Sequence, residues 1–218
     1  MAWVWIDFLS DDIDAEFNLT VNYVLTIEDQ IASVSTREAE RVQRTLPDGD
    51  PDEAAYQWHL YQQFHEHLMP RTFRYSCLVS LVTAIDATLG AIVREVERHI
   101  GRAFKPARRA RLFREQWCYL FEVGMPMRAD PFVARLDDVT TVRNCIVHAA
   151  GTVKHDRDPD RVAAAVSRLV GFGISKETLI EVQKGALIPL IDEARLWLLS
   201  VWRPIFAHLE ERGQAMRA

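Results

Sequence analysis

Three residues within one six-residue stretch carry side chains suited to anion and proton chemistry: Arg143, Asn144 and His148. On a helix advancing about 100° per residue, Asn144 and His148, four apart, share one flank. Arg143 instead falls inside an apolar arc formed by Phe132, Leu136, Val139, Ile146 and Ala150. An arginine there must snorkel past its neighbours or find an anion, because an unpaired buried guanidinium is strongly unfavourable. Two readings stand. In one, Arg143 pairs with Asp137 or Asp138 and His148 is an ordinary surface histidine. In the other, the three side chains make a site that holds an anion and moves a proton.

The stretch Arg143-Asn144-Cys145-Ile146-Val147-His148 resembles the Arg-polar-x-x-x-His motif of HEPN domains, helical proteins many of which are metal-independent ribonucleases. The surrounding VRNCIVHAAG is similar to that family's run of apolar residue, Arg-Asn, apolar spacer, His and following glycine. The resemblance covers residues 70 to 151. It implies an endoribonuclease without cofactor or metal, acting on RNA as a homodimer whose two Arg143–Asn144–His148 sets meet at one cleft. His148 would move protons to or from the 2′-hydroxyl or the leaving oxygen, and Arg143 would stabilise charge on the phosphorane-like transition state. Asn144 would orient His148 or a phosphate oxygen. The resemblance also points to Asp86 as an acid facing the cleft, the alternative being a local surface ion pair. A toxin with an antitoxin, or a phage-defence effector with a partner protein, fits such an activity. The alternatives are a non-catalytic HEPN-type domain that binds RNA, nucleotide or a partner, and an unrelated helical interaction protein.

The helix that must present these residues has both ends marked. Asp130 is suited to the N-cap and Pro131 to the first position, while Gly151 can close the helix in a left-handed conformation. Ahead of it, Pro70 to Ile100 has the strongest periodicity in the chain, through Leu78, Leu81, Ile85, Leu89, Ile92, Val96 and Ile100, and reads as the central core helix. Asp86 sits beside that stripe. A further helix from Pro106 to Val123 begins within a basic cluster of Arg102, Lys105, Arg108, Arg109, Arg111 and Arg114, thirteen residues without an acid. Such a cluster can grip a phosphate backbone or form a solvated face.

Charge is unevenly spread. Residues 1 to 55 hold 13 acids and 3 bases, a net of −10 against −5 for the whole chain, which leaves +5 on the remainder. A pI near 5.8 argues against indiscriminate nucleic-acid binding. In the acidic part, Phe17, Val21, Val24, Ile31 and Val34 predict a helix running toward Leu46. Asp50-Pro51-Asp52-Glu53 restarts a helix bearing Tyr56, Leu60, Phe64 and Leu68 on one face, until Pro70 opens the next. Trp3, Trp5, Phe8 and Leu9 need covering, by the body of the protein or a dimer contact. No run approaches a transmembrane span and no secretory signal is present, so a cytoplasmic protein is expected. Cys77, Cys118 and Cys145 read as buried reduced thiols.

Past Gly151, Asp156, Asp158 and Asp160 imitate a calcium loop, but Arg161 and Ser167 stand where glycine and glutamate are required. His155 follows the motif in a loop, where it could approach His148 or stay solvated. His65-Glu66-His67 lacks the spacing of a zinc-binding pair, and no P-loop, nucleophile elbow or dinucleotide fingerprint occurs. Residues 160 to 170 read as helical, and Lys184-Gly185 suggests a hairpin turn near residues 178–190. A last helix from Pro189 carries Leu196, Leu199, Trp202, Phe206 and Leu209. The expected fold is all-α, an up-and-down bundle of five to seven helices with a short hairpin. It would be a single domain over residues 1–218, with residues 1–50 an acidic helical element and 70–151 the core.

Overall fold

The computed structural model describes residues 7–45, 50–105 and 112–215. The fold is all-α, with helices α1 (Phe8–Thr45), α2 (Pro51–Tyr61), α3 (Met69–Ile100), α4 (Leu112–Glu122), α5 (Pro131–Ala149), α6 (Pro159–Arg168) and α7 (Leu187–Ala215). A two-stranded antiparallel hairpin, β1 (Phe172–Ile174) and β2 (Ile180–Val182), lies between α6 and α7. Asp50 caps α2 as expected, its Oδ1 accepting from Asp52 N at 3.0 Å and Glu53 N at 3.3 Å.

The chain divides into two compact units. The first holds residues up to Leu19, Ser80–Asp137 and Leu190 onward. In its core Ile13, Phe17, Leu81, Ile85, Leu89, Ile92, Val96, Leu120, Leu136, Ile191, Leu198 and Ile205 are all at most 2% exposed. Asp7 begins α1 by accepting from Ser10 N at 3.0 Å, and its Oδ1 also takes the Trp202 indole N–H at 2.6 Å. The expected covering of the N-terminal apolar residues does not extend to Phe8, which is exposed, and Trp3 and Trp5 lie outside the described residues. On α7 the buried stripe is Leu198, Leu199, Trp202, Ile205 and Leu209, so Leu196 is exposed where core was expected.

The second unit holds Thr20–Val79 and Asp138–Pro189. Val24, Ile31, Leu78, Val139, Val142, Cys145, Val162, Val166 and Ile180 are buried there. Among them stands an ion pair 46 residues apart in sequence. Arg74 donates through Nε to Glu28 Oε1 at 2.7 Å and through Nη2 to Oε2 at 2.8 Å, and its Nη1 reaches the Val182 carbonyl at 3.1 Å. Both side chains are largely buried, and the pair spans α1, α3 and β2.

Three expectations are corrected. Pro70 does not open a new helix, because a π-helical turn, Gln62–Leu68, carries α2 into α3 without a break. There the Met69 N–H bonds the Phe64 carbonyl five residues back, and the widened turn makes room for a proline ring that would clash in an α-helix. Tyr56, Leu60, Phe64 and Leu68, which share a face by spacing, are all exposed. The hairpin turns at Ser175–Leu179, not at Lys184-Gly185. Ser175 Oγ accepts from Glu177 N and Leu179 N at 3.2 Å and Thr178 takes a φ of +65°, whereas Gly185, at φ +78°, leads into α7. Lastly, an 18-residue window within Pro51–Ile100 has a mean hydropathy of 1.9, long and apolar enough to cross a membrane by composition; 56% of it is buried within the protein.

Candidate functional site

The helix that carries the motif begins and ends where its sequence predicts. Asp130 Oδ1 accepts from Phe132 N at 2.8 Å, and at the other end Gly151 N bonds the Cys145 carbonyl, six residues back, at 3.2 Å. Ala150 and Gly151 both turn left-handed, at φ +50° and +76°. This exposes Ala150, so the buried arc of α5 runs through Phe132, Leu136, Val139, Val142, Cys145 and Ile146 instead. The chain leaving α5 is stitched to the hairpin: Ile180 N bonds Gly151 O at 2.9 Å, and Val153 N bonds Thr178 O at 2.8 Å.

Arg143 and Asn144 are half-buried near the end of α5 and His148 is exposed one turn later. Arg143 Nη1 donates to Asn144 Oδ1 at 2.9 Å. Neither acid that could have neutralised Arg143 does so. Asp138 is taken bidentately by Arg168, at 2.8 and 2.6 Å, and Asp137 by Arg114 Nε at 2.7 Å. Among the described residues no carboxylate pairs with Arg143, and its buried Nε has no acceptor. The hydroxyl of Thr140, one turn earlier on the same face, is likewise buried without a partner. Sequence reasoning passed over Thr140, since nothing local marks a threonine whose partner is missing. An unmet buried donor typically costs about 1–3 kcal/mol, so this arrangement favours a ligand oxygen or water.

Behind the motif the surroundings are apolar. Burial pushes the Cys145 thiol up to about 11, with Asp156 adding to the effect. Burial likewise pushes the Tyr75 phenol up to about 12, and its hydroxyl donates to the Ile180 carbonyl at 2.6 Å. These groups stay protonated and inert at neutral pH. His155 is exposed in a 3-10 turn, Val153–His155.

The remaining candidate residues lie on other elements. Asp86 is half-buried on α3 in the first unit, where its carbonyl accepts from Gln116 Nε2 at 3.4 Å, while the three motif residues lie in the second. Arg102 pairs with Glu122 at 3.4 Å, and with exposed Lys105 it lines a cleft of about 710 Å³ floored by Tyr119 and Phe104. Arg108, Arg109 and Arg111 lie outside the described residues. Cys118 is exposed on that cleft, contrary to expectation, because α4 buries Phe113, Gln116, Tyr119 and Leu120 and turns Cys118 off that face. A second cleft, of about 800 Å³, is lined by Phe64, His67, Arg71, Arg74, Lys176 and Glu181 among others. Neither of these two clefts includes Arg143, Asn144 or His148. No family model, curated protein or solved structure matches this chain, so the case for its function rests on these residues and their geometry.

Proposed function

We propose that this chain is a metal-independent endoribonuclease of HEPN type, working as a homodimer in which two Arg143–Asn144–His148 sets address one RNA strand. The observation that carries the reading is the unneutralised guanidinium of Arg143. Its nearby acids are engaged by Arg168 and Arg114, and Asn144 holds its Nη1. A half-buried arginine kept in that state is poised for an external anion, and a phosphate diester is the anion that a neighbouring histidine can act upon.

In such a site the 2′-oxygen attacks the adjacent phosphorus and the bond to the 5′-oxygen breaks. His148 takes the proton from the 2′-hydroxyl, and the partner subunit's His148 gives one to the departing oxygen. Arg143 stabilises the charge that builds on the non-bridging oxygens, a contribution that typically accounts for a factor of about 10² to 10³ in rate. Such an enzyme would fit a cytoplasmic toxin or phage-defence effector held in check by a partner protein.

The test is cleavage in EDTA. RNA should be cut to products ending in 2′,3′-cyclic phosphate while DNA of the same sequence stays intact. Activity that disappears on chelation and returns with magnesium would overturn the mechanism.

A further inference from the structure

We infer that Thr140 is a further phosphate-binding residue of the motif site, its hydroxyl and the Arg143 Nε–H together holding one non-bridging oxygen of the scissile diester. A threonine inside a helix commonly returns its hydroxyl to the carbonyl four residues back. Thr26 does so to Asn22 at 2.8 Å, Thr36 to Ala32 at 3.0 Å and Thr45 to Arg41 at 3.0 Å. Thr140 stands in the same relation to the Leu136 carbonyl in the middle of α5, yet its buried Oγ1 has no partner. A hydroxyl that forgoes the bond its own helix offers, and is buried without another, is set for an acceptor from outside the chain.

Helix geometry puts that acceptor beside Arg143. At about 100° per residue, Thr140 lies between Arg143, about 60° to one side, and Asn144, about 40° to the other, with Val147 two turns on within about 20°. The buried Arg143 Nε also lacks an acceptor. Two donors, one of them charged, therefore stand unmet one turn apart on one flank. Burial lessens along this flank toward the C-terminus: Leu136 is buried, Thr140, Arg143 and Asn144 are half-buried, and Val147 and His148 are exposed. A ligand thus enters from the His148 end, and the guanidinium, tied to Asn144 through Nη1 at 2.9 Å, turns to meet it. Asp137, the acid on the same flank one turn earlier, is already held by Arg114. Paired donors with a positive charge select an oxyanion. That the anion is a phosphodiester rests on the ribonuclease reading, whereas the two unmet donors do not.

The test pairs Thr140→Val, which keeps the branched shape and removes the hydroxyl, with Thr140→Ser, which keeps the hydroxyl. Inorganic phosphate is titrated into each protein and followed through the backbone amide resonances of residues 140–144. The parent and Thr140→Ser should bind it alike, and Thr140→Val about tenfold more weakly. Thr140→Val should melt no lower than the parent, because the hydroxyl has no partner in the protein to lose. RNA cleavage in EDTA should fall about tenfold in kcat/KM in Thr140→Val and be kept in Thr140→Ser. Phosphate that leaves these resonances unmoved in the parent, or binds Thr140→Val as tightly as the parent, overturns the proposal. If that variant also melts several degrees lower, the hydroxyl is a structural group bonded to water. Undiminished RNA cleavage by Thr140→Val removes Thr140 from the site and leaves the ribonuclease reading standing. A parent that cuts no RNA, but whose phosphate binding weakens in Thr140→Val, keeps the oxyanion subsite and removes the ribonuclease reading.

Discussion

Tyr75 occupies the space that any side chain at Gly151 would need: a Cβ there would lie 2.7 Å from Tyr75 Cζ. The same phenol donates to Ile180 O, so the end of the motif helix, the start of α3 and the hairpin are locked at one point. Gly151 is required there twice, for its φ of +76° and for that close approach. Gly151→Ala should therefore lower stability by about 2–4 kcal/mol in urea unfolding, combining left-handed strain with overpacking. A loss below about 0.5 kcal/mol, the range of ordinary surface substitutions, would show that Tyr75 yields freely.

Glu28 and Arg74 offer a second measurement. Glu28→Ala strands a largely buried guanidinium and should cost about 3–5 kcal/mol, while Glu28→Leu with Arg74→Met should cost much less than the two single changes together. Additive losses would mean that the pair is not coupled.

Alkaline pH should weaken the fold in a defined window. Burial pushes the Cys77 and Cys145 thiols from an ordinary 9.0 up to about 11, and the Tyr75 phenol from 10.0 up to about 12. A folded pKa above the unfolded one contributes stability that is whole below the unfolded value and lost as pH climbs through the folded value. Thermal melts should be unaffected by these three groups below about pH 9 and fall above it, and Cys145→Ala should shrink that fall. An undiminished fall in the variant would contradict the assignment. At pH 8 one thiol, Cys118, should alkylate promptly, with Cys77 and Cys145 reacting only after unfolding.

How much of this was legible in the sequence depends on the range over which each feature is decided. The caps of α5 at Asp130 and Gly151, the start of α2 at Asp50 and the stripe of α3 are local, and they stand where their residues predict. Periodicity showed that Tyr56, Leu60, Phe64 and Leu68 share a face but could not say whether anything covers it. The hairpin turn is hidden in the sequence because Thr178, a β-branched residue, adopts the left-handed conformation that a glycine such as Gly185 advertises. For the site, the residue types were visible but the pairing was not. Whether Arg143 is neutralised was settled by Arg114 and Arg168, which engage Asp137 and Asp138 across 23 and 30 residues of chain.

The central claim is that Arg143 and His148 work on a substrate and not on the fold. Arg143→Ala breaks no ion pair among the described residues, so it should shift stability by no more than about 1 kcal/mol, and exposed His148→Ala by less. The decisive measurement is RNA cleavage in EDTA alongside the melting temperature for both variants. The account predicts cleavage lowered by a factor of about 10² or more with melting nearly unchanged. Variants that cleave as well as the parent chain, or an Arg143→Ala protein that loses several kcal/mol of stability, would return both residues to the scaffold.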